Sequence, residues 1–360
     1  YATPLIYQTP YVQQFSLDVQ RSIGSTMIVD VGYFGDHGTH LQGRVDINEN
    51  MPGAFTKTSI SYAQQAGCSG FTSQACEGPL NQIRPYPGYT AINSVENIFN
   101  QNYNSLQAKL TKRFSGKTLV DVNYTYQRGL TNAASDLNSA PQNTYNLKQE
   151  YGPTAYNRNH VLTVDAIWDL PWMRSQEGIA GHILGGWELS GIYSYSTGQP
   201  LTATMTAGGT VSYGGLTSTY NGQTNGGVAN DSAGLGIVGA SAASLRPQVV
   251  LNPNSGAGFH SHLHWFNPTA FVAPPPTSYQ VGNERPGQIA GPPDDQLDAA
   301  IIRDFKLYHG WVFTLRGEGF NVINHVNWGV IDTSATSGTF GQPTSTRTPR
   351  VLQVAGKINF

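Results

Sequence analysis

Apolar and polar residues alternate with a period of two in one segment of this chain after another, the pattern of a strand with one greasy and one wet face. From 118 to 126, Thr118, Val120, Val122, Tyr124 and Tyr126 oppose Leu119, Asp121, Asn123 and Thr125. Leu184 to Tyr195 behaves alike: Trp187, Leu189, Gly191, Tyr193 and Tyr195 oppose Glu188, Ser190 and Ser194, with Ile192 interrupting the polar side. Near the C-terminus Trp311, Phe313, Leu315, Gly317 and Gly319 oppose Thr314, Arg316 and Glu318, and Phe320 falls on the polar side with them. Leu352, Val354, Gly356, Ile358 and Phe360 oppose Gln353 and Lys357. Extended along the chain, the alternation predicts strands near 11-21, 26-35, 102-114, 118-128, 159-170, 186-198, 296-307, 311-322 and 349-360.

The connections between them alternate in length. Those at 22-25, 115-117, 171-185 and 308-310 are short or moderate; those near 36-101, 129-158, 199-295 and 323-348 are long. A compact sandwich has no reason to put every long loop at one end, whereas an outer-membrane barrel has short periplasmic turns, long extracellular loops and strands of about ten residues. Hydrocarbon also requires every backbone group to be paired, which strands achieve only in a closed barrel. The expected fold is therefore all-β, the C-terminal part of an antiparallel transmembrane β-barrel, with about nine or ten strands in residues 1-360. If the short turns are periplasmic, the first and last of nine strands both descend, and joining them would make a parallel seam. Either a strand is hidden in a long loop or further strands lie upstream.

Composition supports this reading and removes others. Only 12% of residues are charged, against about 25% in an ordinary soluble domain, while 19 Tyr, 14 Phe and 6 Trp accompany 41 Gly. Helical bundles, disordered chains and collagen are excluded, and no segment approaches the roughly 20 apolar residues of a membrane helix. Twenty basic and 22 acidic residues, without runs, leave no footprint for nucleic acid. The chain opens at Tyr1 in a polar, Pro-containing stretch, as a fragment or processed product would. Lipid-facing strands explain the low charge, and the 199-295 loop holds much of the glycine.

The ordered words of the chain carry a resemblance. They include Pro10-Tyr11-Val12-Gln13-Gln14-Phe15, Gly32-Tyr33-Phe34-Gly35, Asn102-Tyr103-Asn104-Ser105-Leu106-Gln107 with Lys112-Arg113-Phe114, and Asn157-Arg158-Asn159-His160. Further on come Trp168-Asp169-Leu170-Pro171, Gly185-Gly186-Trp187-Glu188-Leu189-Ser190-Gly191, Ser196-Thr197-Gly198-Gln199-Pro200 and Trp265-Phe266-Asn267-Pro268-Thr269-Ala270-Phe271. In this order they resemble the C-terminal half of the barrel in Oar-like TonB-dependent outer-membrane receptors, failing mainly at 42-90 and 201-260. The resemblance implies a 22-stranded barrel with an N-terminal plug, a small carboxypeptidase-regulatory-like domain and a TonB-contacting segment, all upstream. Phe360, preceded at every second position by Ile358, Val354 and Leu352 with Gly356 between, resembles the C-terminal signal read by the barrel-insertion machinery.

Candidate chemistry is sparse. His260, His262 and His264 would point one way in an extended segment, as a Zn or Cu site needs, or they belong to a His-rich polar loop. Cys68 and Cys76 suit a small disulfide-closed loop in an oxidising compartment; two free thiols are the alternative. Arg316 and Glu318 share the lumen face and are expected to pair with Asp304 and Lys357. Arg303, on the opposite face near the periplasmic rim, fits snorkelling. Asp36, His37 and His40 lack a nucleophile, and the stretch 208-227 is no phosphate loop but a flexible extracellular one. Asn321, Asn324, His325 and Asn327 suit turn-making. No Gly-x-Ser-x-Gly elbow or His-Glu-x-x-His occurs, so no enzyme and no cofactor is expected. The sequence thus points to part of an importing receptor in the outer membrane of a Gram-negative bacterium. Its expected partners are lipid, the TonB complex and the insertion machinery. An adhesive surface protein, a porin and a secreted sandwich are the rivals.

Overall fold

A computed structural model describes residues 2, 4, 7-49, 84-89, 91-133, 141-172, 177-205, 210-213, 216-219, 245-256, 259-273 and 281-360. Nine long strands form one sheet: β1 (Tyr11–Ile23), β2 (Met27–Asp46), β3 (Asn93–Arg113), β4 (Leu119–Thr131), β5 (His160–Asp169), β6 (Trp187–Ser196), β7 (Asp294–Lys306), β8 (Val312–Phe320) and β9 (Val351–Asn359). Each pairs antiparallel with its sequence neighbour. The two-residue strand Gly152–Pro153 adds to the outer end of β4.

Residues directly opposite across antiparallel strands share a face, so the register separates two surfaces. One carries Leu17, Tyr33, Leu106 and Tyr126 in one row, then Val19, Val31, Ala108, Tyr124, Leu162 and Tyr195 in the next. Toward the short turns it continues through Trp168, Leu189, Ile301, Gly317 and Val354. Many of these large apolar side chains are exposed, Leu17 at 70% and Val354 at 79%, as lipid-facing residues must be. The other surface carries Asp18, Gln20, Asp30, Lys109, Asn123, Thr163, Ser194 and Gln296 and is the lumen side.

All nine predicted strands occur, but β2 and β3 run about ten residues farther outward than the alternation suggests. The reason is local. His40 has a positive φ of 54° and the register shifts between Gly38 and Leu41 and again at Gln42, so the period of two changes phase there. At 20 and 21 residues these strands are about twice what a membrane-crossing strand needs. The expected structureless connection 36-101 is therefore strand at both ends. The turn between β5 and β6 is also richer than expected, holding α1 (Gly178–Leu184).

β1 and β9 are the free edges of the sheet, and every residue of both is exposed. Nine antiparallel strands leave these edges parallel to each other, so the sheet stays an open arc. Among the described residues no tenth spanning strand lies in a long loop.

Candidate functional site

The lumen face is built by the polar half of each strand. Asp18, Asp30, Asp36, Asp121, Asp165, Asp169, Glu188, Asp298, Asp304 and Glu318 share it with Lys109, Arg113, Lys306, Arg316 and Lys357, so acids outnumber bases. A recess of about 360 Å³ opens here, lined by Leu119, Ile167 and Ile192 together with Asp165, Asp298 and Arg316. Ile192 and Phe320, which interrupt the polar pattern in the sequence, join Leu119 and Ile167 in the apolar patch of this wall.

The register puts Arg316 and Glu318 on this face, with partners other than Asp304 and Lys357. They pair with each other, and Gln353 donates to Glu318. The register is the reason: Asp304 and Lys357 both stand opposite Thr314, and Asp304 accepts from the Thr314 hydroxyl at 2.6 Å. Asp36 faces the lumen and accepts from Gln101 at 3.1 Å, while the adjacent His37 faces away. His40 packs edge-on against Tyr11 at 5.9 Å, an anchoring contact. Asn321 and Asn324 do make the turn, with φ of 50° and 55°. Arg303, expected to snorkel into the interface, is 1% exposed and is held by carbonyls of α1 instead.

The three histidines are not aligned. His260 and Ser261 donate their amides to Trp265 and His264 carbonyls at 3.0 and 3.1 Å, His260 has φ 62°, and the segment is a tight turn instead of an extended run. His260 stacks on Trp265 at 4.8 Å. Among the described residues no group of three His, Cys, Asp or Glu is placed to hold a metal ion. Cys68 and Cys76 lie outside the described residues, as does most of the stretch 208-227.

At the long-loop end of the sheet the connections build a cap with its own core, which alternation along single strands does not encode. Met205, Leu245, Trp265, Phe266, Phe271, Ile289, Ile331 and Phe340 pack together, with Phe266, Phe271 and Phe340 meeting edge to face at 5.1 to 5.8 Å. Thr204 joins the third and fourth loops: its amide donates to Thr333 and its carbonyl accepts from Ala335.

Buried polar groups link the rest. Arg246 forms a two-pronged pair with Glu150 at 2.7 and 2.8 Å, both side chains buried, and its Nε donates to the Glu284 carbonyl. Gln142 donates to the Gly282 carbonyl and accepts from the Arg246 amide. Glu49, at the tip of the β2 extension, accepts from the Thr144 amide at 2.9 Å, and Tyr145 donates to the Glu49 carbonyl. Burial pushes Glu49 up to about 7, opposed by the Thr144 bonds, and Glu284 up to about 8, opposed by the Ala203 amide and Arg246. One oxygen of each carboxyl is buried without a hydrogen-bond partner. These groups join the loops to one another. The candidate site is a polar, recessed wall with an ordered cap at its long-loop end.

Residues 1–353 match a protein family described as "Outer membrane beta barrel domain". No curated protein matches the chain. Among solved structures, the outer membrane transporter YddB from Escherichia coli is similar at 10% identity and a TM-score of 0.44, covering 98% of this chain and 33% of that one. The chain thus spans about one third of that protein's length.

Proposed function

The chain belongs to the outer membrane beta barrel domain family and lies in the outer membrane, and from that premise we propose that it forms part of the barrel of a TonB-dependent receptor. The whole receptor would bind a ligand at the extracellular loops and import it across the outer membrane. The observation that carries this reading is the acidic, recessed lumen wall lying beneath a folded cap. A wall meant only to hold the membrane needs neither a recess nor an ordered lid. The open arc supports membership in a larger barrel, because an odd number of further antiparallel strands would close it without a parallel seam.

The test is uptake in cells. Ferric siderophores, oligosaccharides and short peptides are offered to cells with the protein, without it, and with it but lacking TonB. Accumulation of one class falls to background in both deficient strains, while surface binding persists in the strain lacking TonB. Accumulation that is indifferent to TonB sinks the proposal and favours a passive pore.

A second reading is an adhesive surface protein without transport, favoured by the exposed cap tyrosines Tyr86, Tyr89 and Tyr156, which are 51%, 65% and 75% exposed. It predicts loss of attachment, and no change in accumulation of any probe, when the gene is deleted.

A further inference from the structure

α1 hangs from the outer wall at the short-turn end of the sheet, and two side chains hold it there through three hydrogen bonds. Arg303 donates from Nη1 to the Ile183 carbonyl and from Nη2 to the His182 carbonyl. Its guanidinium lies over the Phe305 ring, 4.4 Å from the centroid, and 5.5 Å from that of Trp187. The Trp187 indole donates to the same Ile183 carbonyl at 3.1 Å.

The register places Arg303, Trp187 and Phe305 all on the lipid-facing side, so the helix is fastened to the outside of the wall and not beneath the lumen. The pairing is also electrostatically apt. The last carbonyls of a helix have no partner within it and carry the negative end of its dipole, so they accept a cation that would otherwise face hydrocarbon.

The other side of α1 is uncovered. Ile179 is 82% exposed, Ile183 60% and Leu184 57%, and Trp172 in the same turn is 62% exposed. Ile179 and Ile183 stand four apart and so lie on one face of the helix. Such side chains on a seven-residue helix gain nothing in water. The helix hangs, however, from Arg303 and Trp187, and two residues along each strand the same face carries Ile301 and Leu189, so the helix is attached to a continuous lipid-facing band. That continuity identifies the occupant.

We infer that α1 is an interfacial anchor, lying in the boundary between headgroups and acyl chains of the leaflet at the short-turn end, with phospholipid as its partner. Short turns are periplasmic in barrels of this kind, so the leaflet is the inner one. Arg303 is the positioning residue: it converts a wall charge into the hinge pin that lays the helix on the membrane. The inference needs only the barrel's place in the membrane and stands whether or not the protein transports anything.

The test uses the complete protein with Cys68 and Cys76 replaced by Ser, reconstituted in vesicles of phosphatidylethanolamine and phosphatidylglycerol. A bimane label is placed at Ile179→Cys, and separately at Ser115→Cys in another short turn. The Ile179 label is expected to be quenched several-fold more by phospholipid carrying a nitroxide near the top of the acyl chain than by aqueous iodide, and the Ser115 label the reverse. Equal behaviour of the two labels overturns the proposal. In Arg303→Lys, which keeps the charge but loses the fork across two carbonyls, the Ile179 label is expected to shift toward iodide. If that variant does not insert, the comparison of the two labels decides alone.

Discussion

Glu284 shows how much one side chain of the cap is asked to bear. It is fully buried, with one oxygen bonded to the Ala203 amide and the other unpartnered, and its pKa is raised to about 8. A carboxyl raised from 4.5 favours the folded state fully below the unfolded value, and that contribution is lost as pH rises through the folded value. Glu49, raised to about 7, acts in the same direction at lower pH. The cap is therefore expected to loosen progressively as pH rises from about 4.5 to about 8, with Glu284 alone contributing on the order of 5 kcal/mol. Protease nicking of the loops against pH checks this. Glu284→Gln, neutral at every pH, should flatten the upper part of the profile; an unchanged profile contradicts the assignment. Arg246→Leu is the converse experiment. It leaves Glu150 buried without its partner, and removing one member of a buried pair costs about 3–5 kcal/mol, so cap protection at neutral pH should fall sharply.

The β2–β3 hairpin that carries Glu49 depends on a close approach. A side chain at Gly43 would meet the Phe99 ring at 2.3 Å, and Phe99 is 1% exposed. Gly43→Val is expected to displace Phe99 and cost about 1–3 kcal/mol, read as faster amide exchange over 93-99 with the membrane-crossing parts unchanged. The same hairpin marks the limit of what alternation reveals. Where one face meets lipid and the other water, as from Met27 to Asp36 or Leu119 to Tyr126, the period of two dominates despite Ile28, Phe34 and Leu119 on the polar face, and the strand is legible. Beyond the bulge at His40 both faces of β2 meet protein, five of the six residues from Leu41 to Asp46 being buried or partly so, and the two-faced signal disappears. The lumen wall was legible for the same reason, down to Arg316 and Glu318, while their partners depended on a register that no single strand contains. The Arg303 contact was invisible because the helix that receives it is short and its order depends on the wall. Glu150, Arg246 and Glu284 are scattered over three segments whose local patterns are silent about one another.

At the scale of the molecule, nine strands and two bare edges set the next expectation. The 360 residues by themselves should not give a compact band that shifts on heating in a detergent gel, whereas the chain joined to an odd number of further antiparallel strands should. A shift shown by this chain alone would mean that its edges meet after all. The cap adds a different kind of unity. Glu49 reaches Thr144, Gln142 reaches Gly282 and Arg246, and Thr204 reaches Thr333 and Ala335, so all four long loops are stitched to one another across the mouth. A surface assembled this way is a discontinuous epitope. Antibodies raised against the folded cap would recognise intact cells yet fail on denatured blots, and no linear peptide cut from one loop would serve as a faithful immunogen for it.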